Sequence, residues 1–308
     1  MASFSATDAA LEGFRITRER PKALLAWTGF CFAVSIVSAL ITINMPAETR
    51  QALEVLQNDP SATPDGRVLL EALAILSPLL LFGLAVQCIM AAAVYRVILR
   101  PQEHAFHFLR IGRDEGRLIG LTLIYFVMAI MLVVAVQLVV GIIAALASLL
   151  GQGVFSFVFA AAELFVLGLL VYIAVRMSLA PVISFDRKRL SIFDSWAITR
   201  GQFWRLTGAY LLAICCVFVV AILFMMLFMA VATLVMLALG GSISELMKIF
   251  QPDETTLQTY MNPFMIAYMV VGGLFTAIYY AVVASPGAVA YRSLSAQVGE
   301  TRAEPWSA

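Results

Sequence analysis

One carboxylate stands deep inside an apolar run. Glu163 lies thirteen residues before Arg176 and eleven after Gln152. At about 1.5 Å of helix rise per residue that spacing puts it near the middle of a bilayer. An ionisable group at that depth has to be neutral, paired or in contact with water. Gln87 and Gln137, on neighbouring apolar runs, are its candidate partners. Such a site would carry proton-linked or substrate chemistry, or a neutral Glu163 would simply bond helices together. Glu103-His104-x-x-His107 offers two imidazoles, but without a third ligand they fall short of the usual zinc sets. No Gly-rich phosphate loop is present, and two neighbouring histidines give no Ser/His/Asp constellation. The expectation is a protein that is not an enzyme and uses no metal or cofactor.

A second group of residues is basic and aromatic. The stretch ITRGQFWRLTG, residues 198–208, follows Trp196 and contains Arg200, Trp204 and Arg205. Arg113 and Arg117 occupy a comparable place before an earlier apolar run. Ser191-Ile192-Phe193-Asp194 has the shape of a capping box, a hydroxyl at the cap and a carboxylate three residues on. Gly201 can end the helix in the left-handed conformation. The pattern predicts a helix of about nine residues over 191–200. One side shows Phe193, Trp196 and Ala197, the other Asp194, Ser195, Thr199 and Arg200, as in a helix lying in the headgroup plane. Trp204 and Arg205 then sit where the next span begins, the indole at the interface and the guanidinium reaching to the headgroups. This group either contacts lipid headgroups or a partner, or only sets the depth of the span.

The elements that position these residues follow from composition. The chain is 62% hydrophobic and 13% charged, with a mean hydropathy of +0.95, which is membrane-protein composition. Apolar runs fall at Ala23–Ile43, Val68–Leu99, Leu118–Leu150, Val154–Leu179, Leu206–Leu239 and Pro263–Tyr291. Each exceeds the roughly 20 residues that a helix needs to cross about 30 Å of hydrocarbon. Of the 20 Lys and Arg residues, all but Arg50, Arg67 and Lys248 fall in the segments on one side of such an arrangement. Basic segments stay cytoplasmic, so both termini are expected in the cytoplasm. No cleavable signal peptide is visible ahead of the first run. A net charge of +1 gives no reason to expect nucleic acid. Cys31, Cys88, Cys215 and Cys216 lie within expected spans and read as buried apolar residues rather than a disulfide framework.

The segments preceding the odd-numbered spans resemble one another. Arg15-Ile16-x-Arg18-Glu19 matches Arg110-Ile111-x-Arg113-Asp114, and Ile16-Thr17-Arg18 recurs as Ile198-Thr199-Arg200. Arg117-Leu118-x-Gly120 recurs as Arg205-Leu206-x-Gly208. The even-numbered spans also end alike: Tyr95-Arg96-x-x-Leu99-x-Pro101 answers Val175-Arg176-x-x-Leu179-x-Pro181 at a spacing of 80, with Tyr291-Arg292-x-Leu294 as a shorter copy. The expectation is one membrane domain over 1–308, all-α and polytopic, built from three helical hairpins at 8–101, 104–185 and 190–296, with cytoplasmic interfacial helices. Such copies share one orientation and are parallel repeats. Helical patches at Ala47–Gln57 and Ile243–Phe250 are expected at the outer surface. Ser77-Pro78 and Ser285-Pro286-Gly287 are expected helix kinks, whose missing backbone donors need compensation.

Leu179-Ala180-Pro181, with Asp194-Ser195-Trp196-x-x-Thr199-Arg200-Gly201-x-x-Trp204-Arg205-x-x-Gly208, resembles the membrane domain of some bacterial glycerophosphodiester phosphodiesterases and related stand-alone membrane proteins. The resemblance is best over 175–215. Those enzymes carry catalysis in a separate soluble barrel with a His-Arg pair and metal-binding acids. Neither His104 nor His107 is followed by Arg, so the resemblance implies a bacterial inner-membrane location and not hydrolysis. The function expected is lipid or envelope organisation through the cytoplasmic segments, with anionic membrane lipids, a protein partner or a second copy as the contacts. The alternative is a small transporter or channel with an intramembrane site around Glu163.

Overall fold

A computed structural model describes residues 5–46, 66–249 and 260–303. Among them the chain is helical without strands: α1 (Ala6–Glu19), α2 (Pro21–Ile43), α3 (Gly66–Leu99), a 3-10 turn (Ala105–Phe108), α4 (Arg113–Ser148), α5 (Gln152–Met177), α6 (Ala180–Asp186), α7 (Asp194–Ile198), α8 (Phe203–Ala238), α9 (Ile243–Ile249) and α10 (Pro263–Ala303). Six of these, α2, α3, α4, α5, α8 and α10, contain a stretch long and apolar enough to cross a membrane. The chain is therefore a multi-pass membrane protein of the all-α class. The expected patch Ala47–Gln57 lies outside the described residues. Of the one expected at Ile243–Phe250, Ile243–Ile249 form α9 and Phe250 lies outside the described residues; α9 is opened by a capping box, in which the Ser242 hydroxyl accepts from the Glu245 amide at 3.3 Å while the Glu245 carboxylate accepts from the Ser242 amide at 2.8 Å.

The last long helix is the hub. α10 packs along α1, α2 and α3 and against α6 and α8, while α4 and α5 form a hairpin attached through α3 and α6. Within a membrane, helices gain little from excluding water and associate by close packing. Small residues accordingly line the contacts of α10: Ala9, Ala92, Ala277, Ala281, Ala288 and Ala290 are all buried. At two glycines the helix backbones come into contact. A Cβ at Gly13 of α1 would stand 2.4 Å from the Val282 Cα, and one at Gly273 of α10 would stand 3.1 Å from the Thr28 carbonyl oxygen. The amphipathic N-terminal segment is thus docked on the bundle by Ala9, Ala10, Gly13 and Ile16, rather than lying apart from it.

Both Ser-Pro pairs sit inside continuous helices. Proline at position i leaves the carbonyl of residue i−4 without its donor. In each case the preceding serine supplies one: the Ser77 hydroxyl donates to Ala74 at 2.9 Å and the Ser285 hydroxyl to Val282 at 3.2 Å. Ser285 and Val282 are fully buried. Ser285→Ala should therefore cost about 1–3 kcal/mol, the penalty of a buried acceptor left unmade, seen as a lower thermal midpoint in detergent. An unchanged midpoint would mean that another donor reaches Val282.

The core is densest where the basic segments gather, here called the basic end. There α6 is buried through Ala180, Val182, Ile183, Ser184 and Phe185, packed with Trp27, Met90, Leu179, Leu206 and Tyr291. The outer faces of α4, α5 and α8 carry exposed Leu, Val, Ile, Phe and Met, as helix sides that meet hydrocarbon must.

Candidate functional site

Four elements meet at the basic end around Arg176, in the last turn of α5. The Ser195 hydroxyl of α7 donates to the Arg176 carbonyl at 2.6 Å and accepts from the Leu179 amide at 3.3 Å. The Thr199 hydroxyl donates to the Ser195 carbonyl at 2.8 Å and lies 3.3 Å from the Arg176 carbonyl. Ser195 and Thr199 are buried, because the end of α5 has carbonyls that need donors. The polar side expected for 191–200 is thus divided, Ser195 and Thr199 facing the bundle and Arg200 the surface. The helix there is also shorter than expected, five residues, and its N-cap is Phe193 with no side-chain cap. The expected capping box does not form: the Ser191 amide donates to the Ser184 hydroxyl, and the Asp194 carboxylate accepts from Arg187 at 3.0 Å and Arg189 at 3.1 Å. Partial burial pushes the Asp194 carboxyl up, but the hydrogen bond from Arg189 and the charges of Arg189 and Arg187 hold it below the ordinary carboxylate range. Gly201 takes the expected left-handed conformation, φ 75°, but the helix has already ended at Ile198 with Thr199 as its C-cap.

With Ser195 and Thr199 turned inward, Phe193, Trp196 and Arg200 are left exposed. They line, with Ala197 and Arg176, a surface concavity of about 530 Å³. The Arg176 guanidinium lies over the Trp196 ring, 4.6 Å from its centroid. Tyr172 packs edge-on to Trp196 and also meets Phe203, which packs on Trp204. Arg176 is only 6% exposed, and its Nε has no hydrogen-bond partner. Among the described residues it has no acidic partner.

A neighbouring arginine shows the opposite arrangement. Arg96, in the last turn of α3, donates to the Glu115 carboxylate in a short contact and to the Phe108 carbonyl at 2.9 Å. Both side chains are 2% exposed. Glu115 stands in the first turn of α4 with Asp114, where the exposed amides of a helix favour a carboxylate. Arg100 donates to the carbonyls of Phe185 and Asp186 at 3.0 and 3.1 Å and covers the Phe185 ring. The Tyr291 hydroxyl donates to Asp186 at 2.8 Å. Cation, carboxylate and carbonyl partners thus tie α3, α4, α6 and α10 together. The 104–115 stretch, expected to be an amphipathic segment, instead holds a tight turn, with Phe106, His107 and Phe108 at φ 49°, 55° and 70°, ahead of the first turn of α4. Its carbonyls serve the core: His107 accepts from the Trp27 indole at 3.0 Å.

Other expected site residues fall in separate places. Trp204 is 81% exposed beside an exposed Arg205 at the start of α8. Arg113 is exposed, whereas Arg117 is turned back onto Asp114 and the Arg113 carbonyl. Glu163 and Gln137 pair across the α4–α5 hairpin, with the amide nitrogen 3.2 and 3.3 Å from the two carboxylate oxygens. Gln87 does not join them. It lines a cavity of about 310 Å³ with Tyr95, Ser178, Tyr210, Tyr279 and Tyr280.

The fold and the basic end define a helical multi-pass protein with an aromatic and arginine surface at one end of its bundle. Compared with family models, curated proteins and solved structures, the chain matches none. None of Arg96, Glu115 and Arg176 stood out in the sequence as a site residue: the two arginines entered only as basic charges and as matching positions in the Tyr95-Arg96 and Val175-Arg176 endings, and Glu115 not at all.

Proposed function

We propose that this protein is a non-enzymatic component of a bacterial inner membrane that organises anionic lipid at the cytoplasmic face. The basic end is then cytoplasmic, with both termini, and the bundle is a repeated hairpin unit. The observation that carries the reading is the surface of the basic end. There Phe193, Trp196 and Trp204 are exposed beside Arg200 and Arg205, which have no acidic partner among the described residues. Indoles favour the interface, and an arginine near an anionic leaflet contributes about 1 kcal/mol. The resemblance of 175–215 to membrane domains that accompany phosphodiesterases agrees with this location. Glu163, bonded to Gln137 within one hairpin, supports a helix-bonding role better than a transport site.

The test is lipid retention by the purified full chain, equilibrated with phosphatidylcholine and phosphatidylglycerol and read by native mass spectrometry. Phosphatidylglycerol should be retained preferentially. Changing Arg200 and Arg205 together to Gln should cut that preference about 30-fold, the effect of losing about 2 kcal/mol. Equal retention of the two lipids by the unaltered chain would sink the proposal. Orientation is checked separately: a cysteine at Lys188 should label from the cytoplasm and one at Gln152 from outside.

A further inference from the structure

We infer that Arg176, Trp196 and Arg200 form a discrete site for the phosphate of an anionic phospholipid, a deepening that rests on the lipid-organising function proposed above. The argument begins with a comparison inside the chain. Arg96 and Arg176 end corresponding helices within the matching Tyr95-Arg96-x-x-Leu99 and Val175-Arg176-x-x-Leu179 segments. Both are more than nine-tenths buried. Arg96 is neutralised by Glu115. In the register that aligns Arg117-Leu118-x-Gly120 with Arg205-Leu206-x-Gly208, Glu115 is answered by Phe203 and Asp114 by Gln202. The second arginine keeps the burial and lacks the acid.

A buried guanidinium without a counter-charge is costly, and here the cost is built in rather than relieved by retreat to solvent. Ser195 and Thr199 fix the backbone of Arg176, and the Trp196 ring holds its guanidinium in place. The nearest acid on α7, Asp194, is bonded to Arg187 and Arg189. No acid among the described residues neutralises Arg176, so the site is assigned an anion from outside the chain. The concavity of about 530 Å³ that Arg176 lines opens to the surface, with Arg200 as a second cation on its wall. A guanidinium presents its donors as a planar fork suited to two phosphate oxygens. Exposed Phe193 and Trp196 on the same wall give an apolar side for the lipid's glycerol and upper chains, which a free phosphate would not use.

The experiment takes the full chain in the same retention measurement with Arg176→Gln, Phe203→Glu and Arg205→Gln. Phe203→Glu places a carboxylate at the position that the sequence register matches to Glu115, on the Tyr172 ring that packs against Trp196. Arg176→Gln and Phe203→Glu should each lower phosphatidylglycerol preference about tenfold, and Arg205→Gln clearly less. If Arg176→Gln fails to fold, Phe203→Glu alone decides, since it leaves the arginine in place. Loss of preference in the unaltered chain overturns the lipid function itself. Preference that survives both Arg176→Gln and Phe203→Glu overturns this site and leaves that function standing. A rise in thermal midpoint with inorganic phosphate in phosphatidylcholine alone, absent from Phe203→Glu, would assign the site to the free anion and overturn the lipid.

Discussion

Glu115→Ala should destabilise the protein by about 3–5 kcal/mol, the range found when one partner of a buried ion pair is removed. The alanine would leave the Arg96 guanidinium, 2% exposed, with only the Phe108 carbonyl as hydrogen-bond partner. The measurement is the thermal midpoint and the yield of monodisperse protein in detergent. Arg96→Met combined with Glu115→Leu should recover most of the loss, because no charge then remains to be buried. Arg176→Gln provides the contrast: it removes a cation that has no acid, and in the absence of anionic lipid it should cost little. A wild-type midpoint for Glu115→Ala would show that Arg96 finds its counter-charge elsewhere.

The second large effect concerns Trp27. Its side chain is 1% exposed, and its indole N–H donates to the His107 carbonyl. Trp27→Ala should cost about 3–5 kcal/mol through the cavity it opens. Trp27→Phe keeps much of the volume and loses the donor, for about 0.5–1.5 kcal/mol. The two variants should differ in where they act. Phe106, His107 and Phe108 all hold positive φ, a conformation costing roughly 1–2 kcal/mol per residue for side chains of this kind. The turn persists because Trp27 and Arg96 bind its carbonyls and Arg20 covers the Phe108 ring. Hydrogen exchange over 103–110 should rise in Trp27→Phe even where the global midpoint barely moves. Unchanged exchange there would deny the indole its part in holding the turn.

The six long helices were legible because a membrane span needs an unbroken apolar run; α2 ends at Ile43 and α3 at Leu99, as the hydropathy indicated, whereas α10 runs on past Tyr291 to Ala303. α4 begins five residues earlier than its apolar run, at Arg113, because Asp114 and Glu115 suit a helix start although they do not suit hydrocarbon. The short segments were harder to read. A five-residue helix has too few turns for a polar face to mean a wet face, so Ser195 and Thr199 looked like surface residues. In the structure they meet the free carbonyls of a neighbouring helix. The same limit hid the arginines. An arginine at a span end ordinarily reaches out to headgroups, and nothing local tells which one is pinned inward. That depends on Glu115, nineteen residues along the chain from Arg96, and on an indole from another element at Arg176. Gln87 illustrates the converse: polar side chains on neighbouring spans invite pairing, yet helix rotation sends Gln137 to Glu163 and Gln87 to a different cavity.

The position of α10 at the centre of the bundle has a consequence for biosynthesis. The contact surfaces of α1, α2 and α3 are completed by a helix that is made well after all of them. Ribosomes add about 5–20 residues per second, so α1 and α2 wait on the order of tens of seconds before Pro263–Ala303 arrives. Until then the close-contact positions at Gly13 and Thr28 have no partner, and Asp186 lacks Tyr291. Arg96 and Glu115, by contrast, emerge nearly together and can neutralise each other early. A chain interrupted before Pro263 therefore keeps its charge pair but lacks the helix on which α1, α2 and α3 pack.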